Sequence, residues 1–569
     1  MRILANITLL SWGAKTFLSK VRPWGLGLAI LITPRVLAEK TLEKHFYVDQ
    51  FIGATDGEKI NAAFKEMVSV EGPKVLHFQP REYLIESKGS DGFEPVIGAV
   101  GLRDLTIAGH GACWVAQNQL QQAQGYFFKQ SRFKNLTLEN LNLTYRPRPF
   151  VQGRILQVEQ SKNKVLLQLD KNFSNWPAIN LPSANAKLWC RVGQQQNPAW
   201  AKAHSPAWLP ASFAPLTQAQ KDSAESKVWV HAGAFDLTKT LNGVYNWEVG
   251  DPMVIWKRGA QDALVFEEGE GLVLKNITLD SALHYGIKLR GIVQARLEQC
   301  DVIPVTGGMI SGCADGIDVQ QSRDISIVHC KISSNGDDGI SLLNNAQHGF
   351  NGEFHEKKLA PPYPETNENI LISQNEIQGS NRNGMLILAS NVIISRNNLH
   401  QVRQYGLKFC GNHTQILDNI FSEVGSFAAY RHISDELNTG VICSDDWLQT
   451  NAVINNNRVE SWHNMPAMML KSLNQATIKG NWFDLKDENR LNVKPFNPTL
   501  SQLKTIVVTS GNFMGKNIPC DYFMVENNTV MKTTLWPTIE KSFLLEEIPH
   551  LVVKNNQMAV SSGTSLELP

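Results

Sequence analysis

From residue 295 onward the chain repeats one short pattern: an apolar residue, any residue, an apolar residue, two of any kind, then Asn or Cys. It reads Ala295, Leu297, Cys300; Ile325, Ile327, Cys330; Ile370, Ile372, Asn375; and Val392, Ile394, Asn397. Asn419 follows, and the pattern returns in full at Ala452, Ile454, Asn457; Ala476, Ile478, Asn481; Phe523, Val525, Asn528; and Leu551, Val553, Asn556. Alternating apolar residues make a strand with one buried face. Asn375, Asn397 and Asn419 stand 22 residues apart, which is one coil of three short strands and their turns. Stacked coils bury a continuous core that no single coil could bury alone. The longer step of 45 residues from Cys330 to Asn375 fits a loop inserted in one coil. Leucine-rich repeats need more leucines and a helical segment per unit, and neither is present. The pattern therefore predicts an all-β chain, a right-handed parallel β-helix of about ten or more coils.

The turn residues carry a second expectation. Asn tolerates a left-handed backbone, and stacked Asn side chains hydrogen-bond along the helix as a ladder. Cys300 and Cys330 occupy ladder positions, which reads as buried packing, with a disulfide between adjacent coils as the alternative. Towards the N-terminus, Ile60, Ala63, Phe64 and Met67 fall at helical spacing, and strand-like runs follow at Val75–Phe78 and Tyr83–Ile85. Residues 46–144 are thus expected to form a short capping helix and the first coils. Residues 145–258 break the rhythm with strand-like runs at Val151–Glu159 and Lys164–Asp170 and with Trp176, Trp189, Trp200, Trp208 and Trp229. They read as an inserted β-barrel-like subdomain, its tryptophans serving either as sugar-stacking faces or as its own small core. Residues 259–560 are the main β-helix and hold the candidate site.

Charge and targeting narrow the classes. Lys plus Arg number 54 against 53 Asp plus Glu, a net charge of +1 that offers no attraction for nucleic acid or an anionic membrane. Residues 1–38 combine Arg2, Lys15, Lys20 and Arg22, a short apolar run from Trp24 to Thr33, and Ala38. They read as a signal peptide, with a misassigned start codon as the alternative. Export to the periplasm or the cell exterior is expected, with no membrane span after signal removal. The eight cysteines include no CxxC and no Cys/His cluster of zinc spacing, and there is no glycine-rich phosphate loop. No cofactor and no metal are expected, and no oligomeric state follows from the sequence.

The chemistry lies in one recurring motif. It reads Tyr285-Gly286-Ile287-Lys288, Asp315-Gly316-Ile317-Asp318, Asp338-Gly339-Ile340-Ser341, Asn383-Gly384-Met385-Leu386 and Tyr405-Gly406-Leu407-Lys408. If each copy opens the same strand of successive coils, Tyr285, Asp315, Asp338, Asn383 and Tyr405 form one vertical column. Lys288, Asp318, Ser341 and Lys408 form another, pointing out of the core by strand alternation. Adjacent coils lie ~4.8 Å apart, and Asp337 adds a third carboxylate beside Asp338. Grouped carboxylates repel, so at least one should hold its proton. A proton donor beside a base or nucleophile is what glycoside hydrolysis needs, with the carboxylates roughly 5–10 Å apart in an open cleft. Asp315, Asp337 and Asp338 are the candidate catalytic residues. Tyr285, Lys288, Asp318, Asn383, Tyr405 and Lys408 are the candidate substrate-binding residues. Asp-Gly pairs as plain turns are the alternative, and His348 and His355 are further candidates in the loop beyond.

These residues resemble known β-helix enzymes. The entry of the chain is similar to that of pectin-lyase-like proteins. The segments Cys313-Ala314-Asp315-Gly316-Ile317-Asp318 and Gly336-Asp337-Asp338-Gly339 look like the catalytic region of glycoside hydrolases. Polygalacturonases of glycoside hydrolase family 28 have a similar pair of motifs. Family 110, the α-1,3-galactosidases, has a similar Ala-Asp followed by Asp-Asp, with a barrel inserted before the catalytic coils. The resemblance implies an inverting glycosidase acting on an oligo- or polysaccharide. The family 28 Gly-His-Gly is replaced by Asn381-Arg382-Asn383-Gly384, so no substrate is carried over. A polysaccharide lyase or epimerase on the same fold, with Lys288 or Lys408 neutralising a uronate, is a second enzyme class. A non-catalytic glycan-binding β-helix is a third, since fold does not choose among them.

Overall fold

Each coil contributes one strand to each of three parallel stacks, and the period of the apolar pattern is what keeps them in step. One stack runs through twelve described strands from Pro95–Val100 to Phe543–Leu545 in unbroken parallel pairing. The computed structural model describes residues 42–560, except for 87–94, 118–123, 160, 162–163, 174–187, 194, 196–208, 214–226, 233–246, 258–259, 344–366, 426–439, 445–448, 463–464, 487–503, 514–515, 533–537 and 547. Residues 1–38, expected to be a signal peptide, and His348, His355, Trp176, Trp200 and Trp208 lie outside the described residues. Among the described residues no helix is long and apolar enough to cross a membrane.

The fold is a right-handed parallel β-helix. Its apolar positions merge into one core that runs from Val48 to Phe543. The motif glycines set how closely coils approach. A Cβ on Gly339 would stand 2.6 Å from the Gly384 carbonyl oxygen and 2.7 Å from Ile377 Cγ2. The helix Asp56–Ser69 begins at Thr55, whose side chain accepts the Glu58 N–H at 3.2 Å. Its buried face of Ile60, Ala63, Phe64 and Met67 joins the main core and closes the first coils.

The ladder is present, with one correction. Asn375, Asn397, Asn419, Asn457, Asn481, Asn528 and Asn556 form the ladder, and from Asn397 onward each side-chain oxygen accepts both the backbone and the side-chain N–H of the Asn in the coil before. The ladder residue does not itself take the left-handed backbone. That falls to the residue before it, such as Gln374, Arg396 and Asp418, with φ of 59°, 56° and 57°. The Asn after each such turn is buried along the stack, from Asn375 to Asn528 at 2% exposure or less. Cys300 and Cys330 are buried free thiols, so the disulfide alternative is not realised. The Cys300 N–H donates to Cys330 Sγ at 3.4 Å, and the Cys330 N–H to Asn375 Oδ1 at 2.8 Å.

Between the strands Lys134–Arg146 and Ala260–Leu279 the chain leaves the stack, yet these two pair directly, Leu136 opposite Leu272 and Leu141 opposite Ile277. The segment between them closes a six-stranded antiparallel barrel from Phe150–Glu159 to Pro252–Lys257. Trp247 belongs to the barrel's own core, and Lys164 Nζ lies 4.0 Å over the Trp229 ring. A second face of the barrel, Phe150, Val254 and Trp256, packs on Met309, Ile310 and Cys313. Gln152 donates to Gly307 O at 2.7 Å and accepts the Met309 N–H at 2.9 Å. Arg191, fully buried, donates to the carbonyls of Met309 and Gly379. The barrel therefore braces the loop that leads into Asp315.

Candidate active site

The column predicted from the motif is built by backbone hydrogen bonds from coil to coil. Gly286 N donates to Asp315 O at 3.0 Å, Gly316 N to Asp338 O at 3.0 Å, Gly339 N to Asn383 O at 2.9 Å, and Gly384 N to Tyr405 O at 2.8 Å. Tyr285, Asp315, Asp338, Asn383 and Tyr405 are thus vertical neighbours. Three residues further on, Lys288 pairs with Asp318, Asp318 with Ser341, Ser341 with Leu386, and Leu386 with Lys408.

Asp315, Asp337 and Asp338 converge: one carboxylate oxygen of each lies within 4.8 Å of the others. That is tighter than the spread of roughly 5–10 Å expected from the sequence, and shorter than the ~6.5–9.5 Å typical of inverting glycosidases. The separation therefore lends nothing to the inverting assignment. The expected open cleft is also corrected, since the three residues are 4%, 4% and 3% exposed. A single coil spacing leaves stacked acids no room to spread, and the partly exposed positions lie one step aside. The Arg382 side chain is 28% exposed and its Nη1 lies 3.7 Å from Asp337 Oδ1.

Each acid has distinct partners. Asp315 Oδ1 accepts the Asp338 N–H at 3.1 Å, and its Oδ2 accepts the Ser341 hydroxyl at 2.6 Å. Ser341 Oγ also lies 3.0 Å from Asp318 Oδ1, and a hydroxyl has one hydrogen to share between them. Gln320 Nε2 donates to the other oxygen of Asp318 at 2.9 Å. Asp338 Oδ1 accepts the Asn383 N–H at 3.0 Å. Burial pushes the Asp338 carboxyl well above the usual range, and the charges of Asp337 and Asp315 push it further. Arg382 and the Asn383 N–H pull the other way without cancelling this. The arrangement thus keeps one carboxyl protonated beside two others, the pattern that separates a proton donor from its partner. The same three oxygens also form a group that a cation could join.

Reasoning from the sequence placed Ser341 in the outward column without giving it a role, and it missed Gln320, Arg382 and Asp262. Ser341 and Gln320 tie the acids together as above. Arg382 stands immediately before a column residue, at the same offset as Asp337, and that offset was its available signal. Asp262 lies one coil before Tyr285 and one coil after Tyr126, in the same stack. Its Oδ1 is 2.7 Å from His284 Nδ1, and its Oδ2 is 3.8 Å from Lys288 Nζ. No glycine follows Asp262, so the motif did not reach it. The Lys288 and Lys408 ammonium groups lie 5.2 and 5.7 Å over the rings of Tyr285 and Tyr405. A separate groove of about 550 Å³, lined by residues such as Lys74, Thr106, Thr137 and Arg296, contains none of these residues.

No family model and no curated protein matches this chain. Solved structures similar to it include a glycoside hydrolase, with 11% identity, 92% of this chain and 97% of that chain covered, and a TM-score of 0.42. A surface adhesin of Streptococcus pneumoniae gives 10% identity, 92% and 96% coverage, and a TM-score of 0.40. The A-module of a mannuronan C-5 epimerase from Azotobacter vinelandii gives 12% identity, 90% and 100% coverage, and a TM-score of 0.38. Similarity at this level carries no weight for activity, and the fold stands on the strand register given above.

Proposed function

We propose that this protein is an exported glycoside hydrolase whose reaction is carried by Asp315, Asp337 and Asp338. The observation behind the reading is the burial of Asp338 against two further carboxylates within 4.8 Å. Nothing in turn formation requires three acids at one point, since Asn383 serves the next coil at the same position. A buried acid of raised pKa is suited to protonate the leaving glycosidic oxygen. Asp315, held by Ser341 and by the Asp338 N–H, is the partner that acts as base or nucleophile. Asp337, opposite Arg382, supplies negative charge where an oxocarbenium-like transition state develops positive charge.

Charge bears on the substrate. Among the described residues the column and its direct neighbours hold Asp262, Asp315, Asp318, Asp337 and Asp338 against Lys288, Arg382 and Lys408. With Asp338 protonated, four carboxylates still face three cations, an excess that favours a neutral sugar over a uronate. The test is a hydrolysis screen over neutral glycosides and uronans with the wild type and Asp338→Asn. Release of reducing sugar that Asp338→Asn abolishes supports the reading. Unsaturated product absorbance would instead establish a lyase, and sugar binding without turnover that survives loss of all three acids would establish a binding protein.

A further inference from the structure

Three histidines lie in line on the outer surface of the first coils, apart from the acid column. His45 belongs to the strand Lys44–Tyr47, His77 closes the strand Lys74–His77, and His110 takes a left-handed corner, φ 53°, within Arg103–Gln117. The strands pair in parallel, Tyr47 opposite His77 and His77 opposite Ala108, so each coil moves the histidine on by two residues. His45 Nδ1 is 2.9 Å from His77 Nε2, and His77 Nδ1 is 2.9 Å from His110 Nε2. The ring centroids are 5.2 Å apart in both pairs, and the planes differ by only 17° and 11°. With ring bonds of about 1.33 Å a nitrogen lies roughly 1.1 Å from its centroid. The 2.9 Å contact and two such radii account for the whole separation, so the imidazoles meet edge to edge.

The outer nitrogens decide what the inner ones present. Glu43 Oε2 lies 3.9 Å from His45 Nε2 and draws the proton there, which leaves the Nδ1 lone pair of His45 turned to His77. His110 Nε2 can accept the Nδ1–H of His77, and in that tautomer the Nε2 lone pair of His77 is turned to His45. Two lone pairs then face one point, and each ring gives its other N–H to a fixed partner, as metal-bound imidazoles do. An ion about 2.0–2.1 Å from each nitrogen would see centroids held 5.2 Å apart at an angle of ~109°, the tetrahedral value. The rings have only to turn, and the His45 and Glu43 side chains are 50% and 52% exposed. We propose that His45 and His77 bind a divalent transition-metal ion of the kind imidazole prefers, such as zinc or nickel. Glu43 and His110 are positioning residues that act through the two rings, and solvent completes the coordination. The ion ties the first strand to the next coil, and the inference is independent of the hydrolase reading.

The test is calorimetric titration of the metal-stripped full chain with Zn²⁺ and, separately, Ni²⁺. His45→Gln and His77→Gln should each abolish one binding event seen in the wild type. Glu43→Gln and His110→Gln should weaken it by roughly tenfold, the lower end for lost partners of a metal-bound histidine. Asp338→Asn should leave it unaltered, and circular dichroism should be the same throughout. Zn²⁺ should also slow amide exchange over Lys44–Tyr47 in the wild type and not in His45→Gln, whose exposed position carries the test if His77→Gln fails to fold. A wild type that binds neither ion overturns the proposal, and the histidines are then a hydrogen-bonded chain alone. Binding that survives in the His45→Gln/His77→Gln double variant, or that is lost only in Asp338→Asn, overturns it as well.

Discussion

The Asn ladder can be tested by cutting one rung from its middle. Asn397 is 1% exposed and its side chain makes four contacts. Its oxygen accepts Asn375 N at 3.0 Å and Asn375 Nδ2 at 2.9 Å, and its Nδ2 donates to Ile372 O at 3.0 Å and Asn419 Oδ1 at 2.9 Å. Asn397→Ala removes all four. Asn419 Oδ1 still accepts the backbone N–H of residue 397, so the heaviest loss falls on Asn375, whose backbone and amide N–H both lose their acceptor. Each buried orphan costs ~1–3 kcal/mol, which gives roughly 2–6 kcal/mol, and about 3 kcal/mol after partial relaxation. Asn556 is the control. It accepts the same two donors from Asn528, at 3.0 and 2.9 Å, but it is only partly buried. Water replaces its contacts in Asn556→Ala, and the expected loss is under about 1 kcal/mol. Urea unfolding gives the two differences. A long coil stack can open in parts, so amide exchange at Asn375 locates the damage. A cost for Asn397→Ala no larger than that for Asn556→Ala would falsify the view that the ladder is a buried, additive hydrogen-bond network.

Asp338→Asn should lower turnover of any substrate found by roughly 10²–10⁴-fold with the fold intact, and wild-type turnover should fall as pH rises through the raised pKa of Asp338. The same group binds its proton more tightly folded than unfolded, so wild-type stability should decline as pH climbs above the ordinary 3.8 of an Asp, and Asp338→Asn should flatten that decline in a series of thermal melts. His77 stacks between His45 and His110, with Nδ1 or Nε2 contacts of 2.9 Å on each side, and burial followed by the neighbouring imidazoles holds its pKa below 6.5. The unfolded chain takes up that proton first, so stability of the first coils should fall as pH drops through about 6.5, and His77→Leu should remove that step from their amide-exchange profile. Arg191→Met cuts the barrel's bonds to Met309 and Gly379 and should speed amide exchange across 305–313 and lower turnover while circular dichroism is unchanged; exchange equal to wild type would show that the barrel does not brace this loop.

The coil architecture was legible because the apolar pattern and the core obey the same period. Ile325, Ile370 and Val392 read as one column in the sequence and are one column in the core. The order of Tyr285, Asp315, Asp338 and Asn383 followed from the same period, although loops of unequal length separate them, because the Gly-Ile step marks where each strand begins. Three things were out of reach. The left-handed position lies one residue before each ladder Asn or Cys and is filled by Gln, His, Arg, Asp, Asn or Gly, so composition does not mark it. The burial of the acids depends on how neighbouring segments pack over the column, which periodicity does not describe. The Asp262–His284 contact joins residues on either side of a coil boundary just after the insertion, where no motif connects them.

What the acids need from the fold is a fixed distance, and a coil stack supplies one that side chains cannot relax. Carboxylates placed at one position of successive coils are held about one strand spacing apart by the hydrogen bonds of the strands beneath them. Repulsion can then be relieved only by a proton, a cation or a nearby base such as Arg382. A protonated Asp338 is the relief that burial favours, and it is also the form a proton donor requires. The stack alone would leave the loop before Asp315 to its own packing. The barrel meets that loop with Gln152, Arg191 and an apolar face, and so extends to the chain entering Asp315 the rigidity that the coils give to the chain leaving it. The insertion and the repeat thus perform one task, which is to hold three carboxyl groups closer than their charged forms would choose to lie.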